Sequence, residues 1–443
     1  MKTATDLELH IQSTPLADTH DHQATECDYV ERGPDVLQDL FQNYVTADLT
    51  VAGASPQALN RLLDGNDPDL GARFNGVAEA WARCRHTGYG EAVRLIAKHV
   101  YDMPEITSAG LDASRERNLR LRRPGERLRI LREIGRFDHV QTDHFGWCCH
   151  PDASGPDFFL YDLSWAGFCG GQLGTKNTAD SPRTIFDETG VEVTGIASLR
   201  RAMQALFAKY ARCAVAVKAQ HAYNRTLHWV ERTDADADRV LQKKLRGEKL
   251  AEDERLCLGD WAWARGVELA TEHGLPFKIH TGYYAGHSGL NPDFIRSGLL
   301  APILKKYPRA RFVLMHVSYP YTDELVAMAK NFSNVFVDLC WGWSIDPHTT
   351  GDFVRRMIHA VPANKLFVFG ADTRWPNAAV AYAIQARRWL TRALQTEVDE
   401  GQMTENEAFA FATRIMLANQ EECFNLSAKR ASVAALAKSK SKA

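Results

Sequence analysis

The chain has 443 residues, of which 45% are hydrophobic and 24% are charged, and its formal net charge is -2. This length fits two or three domains, or one large α/β barrel with insertions. The near-neutral charge gives no electrostatic basis for binding nucleic acid or an anionic membrane. No apolar run is long enough to span a bilayer.

The cysteines and the N-terminus bear on the cellular compartment. Nine cysteines, an odd number, are scattered along the chain without Cys-x-x-Cys spacing. This pattern favours free thiols in a reducing environment over a disulfide framework. The first twenty residues lack the apolar core of a signal peptide. We therefore expect a cytoplasmic protein.

Eight short, β-rich apolar runs follow one another along the chain, with helical patterns between them. The first run ends at His20. The others cover residues 138–143, 158–163, 213–218, 276–280, 311–316, 335–339 and 366–370. Strands that alternate with helices predict a parallel sheet, and eight such strands are the number in a (β/α)8 TIM barrel. The sequence therefore predicts an α/β protein with this barrel.

Two long insertions interrupt the predicted barrel. Residues 23–135 follow strand one and are expected to form a helical subdomain over the barrel mouth. Residues 231–255 are highly charged and are expected to form a solvated helical hairpin. The barrel itself is then assigned to residues 1–22 and 136–425. We expect residues 426–443 to be a flexible basic tail.

His20 and His22 lie at the end of the first predicted strand. Side chains two residues apart in a strand point to the same face, so the two imidazoles can converge on one point. Two imidazoles placed in this way are half of a metal site. Alone the pair is a weak signal, because paired histidines also occur as ordinary polar loop residues.

Further polar side chains stand at the ends of other predicted strands. Lys218 ends the fourth strand, His280 the fifth and His316 the sixth, and Asp372 follows the eighth. Each has an ordinary structural explanation, since a strand-end lysine can snorkel and an Asp after Gly-Ala can cap a helix. The C-terminal strand ends of such a barrel meet at one mouth, however, where active sites are built. The joint pattern therefore predicts a metal centre.

The expected ligands suit a divalent metal, with zinc the first expectation and manganese the second, as one or two ions. Such an ion lowers the pKa of bound water to about 7, and Asp372 is expected to take the proton as general base. His316 is expected to ligate a second ion or to polarise the substrate. Lys218 can ligate only as a neutral amine or as a carbamate that bridges two ions. Otherwise its ammonium binds a substrate carboxylate.

Five segments carry a resemblance to a known family: TGYGEAVR (87–94), VKAQHAYNR (217–225), FKIHTG (277–282), LMHVSYPY (314–321) and FGADTRWP (369–376). They resemble the amidohydrolase superfamily, in particular its amidohydrolase-related (Amidohydrolase 2) branch. They are also similar to the amidohydrolase-like half of nodulin/glutamine-synthetase fusions. The resemblance implies a metal-bearing barrel in which His20 and His22, with His280 and Asp372, bind the metal. His316 and Lys218 carry over from the same resemblance.

Three residues near the predicted mouth are candidates for binding substrate. Arg225 can fork onto a carboxylate, or it can form a surface ion pair. Trp341 can form an apolar or sugar-stacking wall, or it can pack against the insertion. Tyr319 can orient substrate, or it can belong to a rigid Ser-Tyr-Pro-Tyr turn. The remaining loop histidines are interpreted as structural: His221, His228 and His287.

These residues predict a metal-dependent hydrolase. Activated water would attack an amide, lactone or related bond of a small polar, carboxylated molecule. The alternative is a metal-dependent decarboxylase or sugar-acid isomerase on the same site, in which Asp372 moves protons between carbons. A non-enzymatic scaffold is a third interpretation, and the intact ligand set argues against it. The expected partner is the small-molecule substrate, and a homo-oligomer is the base-rate expectation for assembly.

Overall fold

A computed structural model describes residues 4–143, 154–173 and 185–440. At its centre, eight parallel strands form one sheet in which each strand pairs with the next along the chain. The strands are β1 Leu16–Asp21, β2 Phe137–Thr142, β3 Phe159–Ser164, β4 Ala214–Ala219, β5 Phe277–His280, β6 Phe312–Met315, β7 Val335–Asp338 and β8 Leu366–Phe367. Each strand overlaps the apolar run that predicted it. The (β/α)8 barrel is therefore confirmed.

The chain that follows β8 lies alongside β1 and nearly closes the barrel. β8 has only two residues in the ladder, and both pair with β7. Beyond it, the backbone carbonyl of Phe369 accepts a hydrogen bond from the N–H of Thr19 at 3.1 Å. The N–H of Asp372 donates to the carbonyl of His20 at 2.9 Å. The first and last strands thus bring His20 and Asp372 together.

Charged and polar side chains from separate strands meet inside the barrel. The ammonium of Lys278 on β5 lies 2.8 and 2.9 Å from the two carboxylate oxygens of Asp162 on β3. It also lies 2.7 Å from Oε1 of Gln141 on β2. Since β4 separates β3 from β5 in the sheet, these contacts cross the interior. The hydrogen bonds satisfy a buried ion pair that would otherwise be costly.

Helices occupy most of the segment between β1 and β2. They are Glu26–Arg32, Val36–Phe41, Val45–Val51, Pro56–Leu62, Leu70–Asn75, Ala78–Cys84, Gly88–Tyr101, Ser108–Ala113, Arg115–Leu121 and Glu126–Arg129, followed by a π-helical turn at Ile130–Ile134. Thr87 begins the long helix Gly88–Tyr101, and its hydroxyl accepts the N–H of Gly90 at 3.0 Å as an N-cap. Tyr44, directly before helix Val45–Val51, reaches the barrel mouth.

The other helices precede β1 or surround the strands. They are Asp6–Ser13, Ala166–Cys169, Ile185–Thr189, Ile196–Tyr210, Asp234–Leu245, Glu252–Glu272, Ala301–Lys306, Thr322–Asn331, Gly342–Ile345, Pro347–Ala360, Pro376–Asp399, Glu405–Thr413, Asn419–Phe424 and Leu426–Lys440, with a π-helical turn at Arg414–Ala418. The charged insertion forms two helices, as expected, but the second continues to Glu272 because its later turns bury Trp261 and Trp263.

The C-terminal segment differs from the expected flexible tail. Residues 426–440 form a helix, in which Leu426 and Val433 are buried. These apolar residues are seven apart and therefore share one face of the helix. The guanidinium of Arg430 adds an ion pair with Asp138 of β2. The sequence did not predict this packed face, because most residues of the segment are small or basic.

Among helices in the described ranges, none combines the length and apolarity of a membrane-spanning segment. The seven cysteines in these ranges are free thiols. Cys148 and Cys149 lie outside the described residues.

Candidate metal centre

His20 and His22, at the end of β1, converge on the carboxylate of Asp372. Nε2 of His20 lies 3.4 Å from Oδ1 of Asp372, and Nε2 of His22 lies 3.2 Å from the same oxygen. The ligand atoms of the three residues form one compact group. His20 and Asp372 are buried, and His22 is partly buried. The spacing predicted from His-x-His on a strand therefore brings two imidazoles and a carboxylate to one point.

Hydrogen bonds hold the backbone around Asp372 in an unusual conformation. Asp372 has a left-handed φ of 52°, which is uncommon for a residue other than glycine and often marks a functional site. Its backbone carbonyl accepts a hydrogen bond from the hydroxyl of Tyr44. The carboxylate of Asp21 accepts the N–H of Thr373 at 2.6 Å, and that of Asp18 accepts the N–H of Ala371 at 3.2 Å. Side chains of β1 and the insertion thus fix the segment that presents Asp372.

Hydrogen bonds also set which ring nitrogen carries the proton in two of the neutral histidines. Nδ1 of His22 lies 2.7 Å from the backbone carbonyl of Asp143, and Nδ1 of His316 lies 2.9 Å from that of Cys340. A carbonyl can only accept, so Nδ1 carries the proton in each neutral ring. In the neutral ring, Nε2 then carries the lone pair that a metal needs. A hydrogen bond at the other ring nitrogen commonly fixes the tautomer and the orientation of a metal-binding imidazole in this way.

His280 and His316 lie together beside this group. Their ring centroids are 4.2 Å apart, and the centroid of His316 is 6.4 Å from that of His20. Nε2 of His280 lies 2.8 Å from the backbone carbonyl of Tyr283. Only Nδ1 of His280 therefore has a lone pair to offer a metal. Within the described residues, the compact group around His20 does not include His280, although the sequence predicted it as the next ligand.

The segment that carries His316 is strained. His316, Val317 and Ser318 all have left-handed φ angles, of 66°, 49° and 50°. Gly282, which follows β5, lies so close to this segment that a Cβ there would be 2.5 Å from the backbone nitrogen of Tyr319. Tight packing between the ends of β5 and β6 thus holds the strained turn in place.

Lys218 is completely buried at the end of β4, and its ammonium lies 3.2 Å from Nε2 of His20. The sequence placed this residue at the same mouth as His20, and the structure brings the two side chains into contact. Nε2 of His20 therefore lies between the ammonium of Lys218 and the carboxylate of Asp372.

For His20, His316 and Asp372, the electrostatics favour the protonation states that metal ligands need. Burial, followed by the charge of Lys218, lowers the pKa of His20 well below its usual value. Burial lowers the pKa of His316 to about 4. For Asp372, burial alone would raise the pKa, but hydrogen bonds from His20 and His22 hold it well below the usual value. Burial also opposes the proton on His22, yet the hydrogen bond and charge of Asp372 raise its pKa. The raised pKa favours the protonated form of His22 beside Asp372, so a metal that binds at His22 must release this proton.

The three-residue group fits a divalent metal. Ligands about 2.1 Å from a tetrahedral zinc lie about 3.4 Å from each other, and the two N···O distances in the group are 3.4 and 3.2 Å. In addition, Nε2 of His316 is buried without a hydrogen-bond partner among the described residues. Two imidazoles and a carboxylate are a common zinc donor set.

A cavity of about 440 Å³ opens beside this group. Its described lining includes His22, His280 and Asp372, together with these residues from neighbouring loops and helices: Tyr44, Ala166, Gly167, Gly170, Gln172, Gln220, His221, Tyr223, Asn224, Arg255 and Ala285. The sequence did not identify most of them as site residues, although four lie in the segment VKAQHAYNR (217–225), because polar and small side chains alone do not indicate a cavity wall. The volume suits a small molecule.

The three predicted substrate-binding residues do not belong to the described lining of this cavity. Arg225 forms a buried ion pair with Asp260 at 2.6 Å, and it donates to the backbone carbonyls of Cys169 and His228 at 3.1 Å each. Its guanidinium is thus engaged by the protein. The alternative of an ion pair, left open for Arg225, is what the structure contains, although the pair is buried rather than on the surface.

Trp341 and Tyr319 belong to an aromatic cluster near the mouth. The ring of Trp341 lies 4.3 Å from that of Tyr44 and 6.1 Å from that of Tyr89, both of the insertion. It also meets His316 edge-on at 5.6 Å. Tyr319 contacts Tyr283 edge-on at 6.0 Å. Trp341 therefore packs between the insertion and His316. This agrees with the alternative given for Trp341 from the sequence, that it packs against the insertion.

A family model described as amidohydrolase matches residues 176–405, more than half of the chain. The chain belongs to the amidohydrolase family. This amidohydrolase is therefore a metal-dependent enzyme, as the resemblance implied. Protein fluG of Emericella nidulans is 26% identical over 186 residues, which cover 40% of this chain and 21% of fluG. The chain thus matches only about a fifth of that relative.

Solved structures share the fold of this amidohydrolase. Uronate isomerase from Thermotoga maritima is 14% identical, with a TM-score of 0.75 over 94% of this chain and 96% of that one. A protein designated a metal-dependent hydrolase from Lactobacillus casei is 15% identical, with a TM-score of 0.64 over 96% of this chain and 99% of that one. At these identities the similarity extends to the fold and not to the reaction.

Proposed function

We propose that this amidohydrolase is a metal-dependent hydrolase that acts on an amide, lactone or related bond of a small polar, carboxylated molecule. One observation carries the proposal: His20, His22 and Asp372 converge on one point, and two of them line the wall of a cavity of about 440 Å³. Ligands at the edge of a cavity leave room for water and substrate beside a bound ion, which distinguishes catalytic from structural metal sites.

His20, His22 and Asp372 would hold the first ion, which we propose to be zinc, with manganese the alternative. When bound, the ion supplies Lewis acidity and lowers the pKa of water to about 7. Lys218 must then withdraw from Nε2 of His20, since both would compete for one lone pair. As the ammonium, Lys218 would bind a substrate carboxylate. As a carbamate, which forms when the neutral amine reacts with carbon dioxide and loses a proton, it would ligate a second ion together with His316.

Asp372 is proposed as the residue that moves the proton. Its carboxylate is ionised and buried at the cavity wall, and the fixed backbone of residues 371–373 holds it in place. His316 has its proton on Nδ1, bound to the carbonyl of Cys340. Its Nε2 therefore accepts a proton or ligates an ion, and it is not a donor to a developing oxyanion.

The alternative reaction is isomerisation or decarboxylation of a sugar acid or similar molecule on the same site. The cavity lining supports this second candidate, because it contains more neutral hydrogen-bonding side chains than charged ones. The neutral side chains include Gln172, Gln220, Tyr223 and Asn224. Such groups suit the hydroxyls of a sugar acid. Asp372 would then carry protons between carbons.

Isotopic water separates the two reactions. The metal-loaded enzyme would be incubated in ¹⁸O-labelled water with four compounds: D-glucurono-6,3-lactone, N-acetyl-L-glutamate, D-glucuronate and salicylate. Hydrolysis must place one solvent oxygen in the new carboxyl group of the product from the lactone or amide. A product from D-glucuronate or salicylate, with neither of the first two consumed, would replace the hydrolase proposal with the alternative.

A further inference from the structure

His221 begins the short turn that follows β4, and no described residue forms a hydrogen bond with its imidazole. The residue is 2% exposed. Both ring nitrogens are buried and unpartnered among the described residues. Buried polar groups are almost always paired, so an exception calls for a ligand or an ordered water. The sequence alone favours a structural role for this loop histidine.

The surroundings of His221 place it beside the candidate metal centre. It lines the same cavity as His22, His280 and Asp372. Its ring meets that of Trp263 edge-on, with the centroids 4.3 Å apart. Its carbonyl accepts the N–H groups of the two residues that close the turn, at 2.9 and 3.1 Å. The backbone and the indole thus hold the imidazole in one position.

The charge state of His221 follows from its neighbours. Burial, and then the positive charge of Arg225, lowers its pKa well below the usual value. The imidazole is therefore neutral near pH 7, with one N–H donor and one acceptor nitrogen. A hydroxyl or an amide offers a matching donor and acceptor. A carboxylate has no donor, and an ammonium has no acceptor.

We propose that His221 contacts the substrate through a hydrogen bond to an uncharged hydroxyl or amide group that lies beside the metal centre. This inference rests on the proposed function, because it assigns the cavity to the substrate. It adds a specificity residue that the metal chemistry does not require. In the complex, the substrate would pair ring nitrogens that no described residue pairs.

Two substitutions of His221 test the contact. His221→Phe keeps a ring against Trp263 and removes both nitrogens, whereas His221→Gln keeps a donor and an acceptor. Without substrate, the Phe variant should melt about 1–3 °C higher than the wild type, because it no longer buries unpaired nitrogens. With a compound of the four that the enzyme turns over, its KM should rise about tenfold while kcat changes less. The Gln variant should recover part of this loss.

His228→Phe is the matched control, since His228 is an exposed histidine of the same loop, and it should leave KM unchanged. Metal content, measured in every variant, should equal that of the wild type. An unchanged KM in the Phe variant would overturn the inference and leave the proposed function intact. A lower melting temperature without substrate would also overturn it, by making His221 a packing residue. Failure of the wild type to bind or convert any of the four compounds would remove the proposed function and this inference together.

Discussion

The hydroxyl of Tyr44, from the helical insertion, donates a hydrogen bond to the backbone carbonyl of Asp372. This bond joins the insertion to the segment that presents the candidate catalytic carboxylate. Tyr44 also lines the cavity, and its ring packs against that of Trp341 at a tilt of 36°. The insertion therefore contributes directly to the geometry of the site.

Tyr44→Phe should lower kcat/KM about fivefold, because a neutral hydrogen bond is worth about 1 kcal/mol. Its loss removes one of the contacts that hold the backbone of Asp372 in the left-handed conformation. Tyr89→Phe is the matched control, since the hydroxyl of Tyr89 is buried without a partner among the described residues. Steady-state kinetics of both variants check the prediction. Equal activity of Tyr44→Phe and wild type would show that the bond does not position Asp372.

Asp372→Asn should leave the fold intact and abolish turnover, with a loss of about 10³-fold or more, because an amide cannot accept the proton. Metal content should fall or stay unchanged. Circular dichroism, elemental analysis and product assays on one preparation separate these effects. Near-normal activity would mean that Asp372 does not move the proton, and the mechanism would be wrong.

Removal of the metal should abolish activity, and zinc or manganese should restore it. Protein purified without chelators should contain about one equivalent of metal if His20, His22 and Asp372 form the whole site. About two equivalents would require Lys218 as a bridging carbamate and His316 as a ligand. If the wild type holds two equivalents, Lys218→Ala should hold only one. If the wild type holds one equivalent, Lys218→Ala should hold the same amount. Activity that survives complete metal removal contradicts the metal-centre proposal.

Acid should destabilise the metal-free protein through His316. Its folded pKa of about 4 lies below the unfolded value of about 6.5, so the unfolded chain binds a proton first as the pH falls. The contribution to stability is present above pH 6.5, is lost between pH 6.5 and 4, and amounts to about 3 kcal/mol.

Urea unfolding of wild type and His316→Gln at pH 7.5 and 5 isolates this contribution. The comparison is needed because burial raises the pKa of Asp21 to about 7. Asp21 therefore acts in the opposite sense, and its contribution to stability falls as the pH rises from 4 to 7. The wild type should lose more stability than the variant on acidification. Parallel losses in the two proteins would exclude His316 as the cause.

Arg225→Ala should destabilise the fold by about 3–5 kcal/mol, since it leaves the buried Asp260 without its closest partner. Arg200→Ala is the matched control, because the ion pair of Arg200 with Asp234 is partly exposed and such pairs contribute about 0–1 kcal/mol. Urea unfolding measures both. A stable Arg225→Ala protein with a raised KM would restore Arg225 as a substrate-binding residue.

The sequence was sufficient to predict the barrel and to predict that side chains at its strand ends meet. Apolar runs mark buried parallel strands, and a known fold then fixes where their ends meet. His20, His22 and Asp372 were predicted to meet because each lies at the end of a strand or just beyond it. This reasoning works without any knowledge of loop conformation.

Contacts between distant loops and helices could not be predicted in the same way. Tyr44 meets Asp372 across more than 300 residues, and nothing in its local sequence marks it. Arg225 finds Asp260 on a helix, so the sequence could not tell an ion pair from a substrate contact. His221 looked like any loop histidine, because the absence of a hydrogen-bond partner is a property of packing alone.

The nearly closed junction of the barrel has a consequence for how the protein comes apart. β8 is short, and the chain beyond it meets β1 through a few hydrogen bonds. His20 and His22 lie on one side of this junction and Asp372 on the other. An ion held by all three would cross-link segments about 350 residues apart, which restricts the unfolded chain in the same way as a long-range disulfide. Metal release and separation of the first strand from the last would then be one event, so chelators should accelerate global unfolding and not only stop turnover.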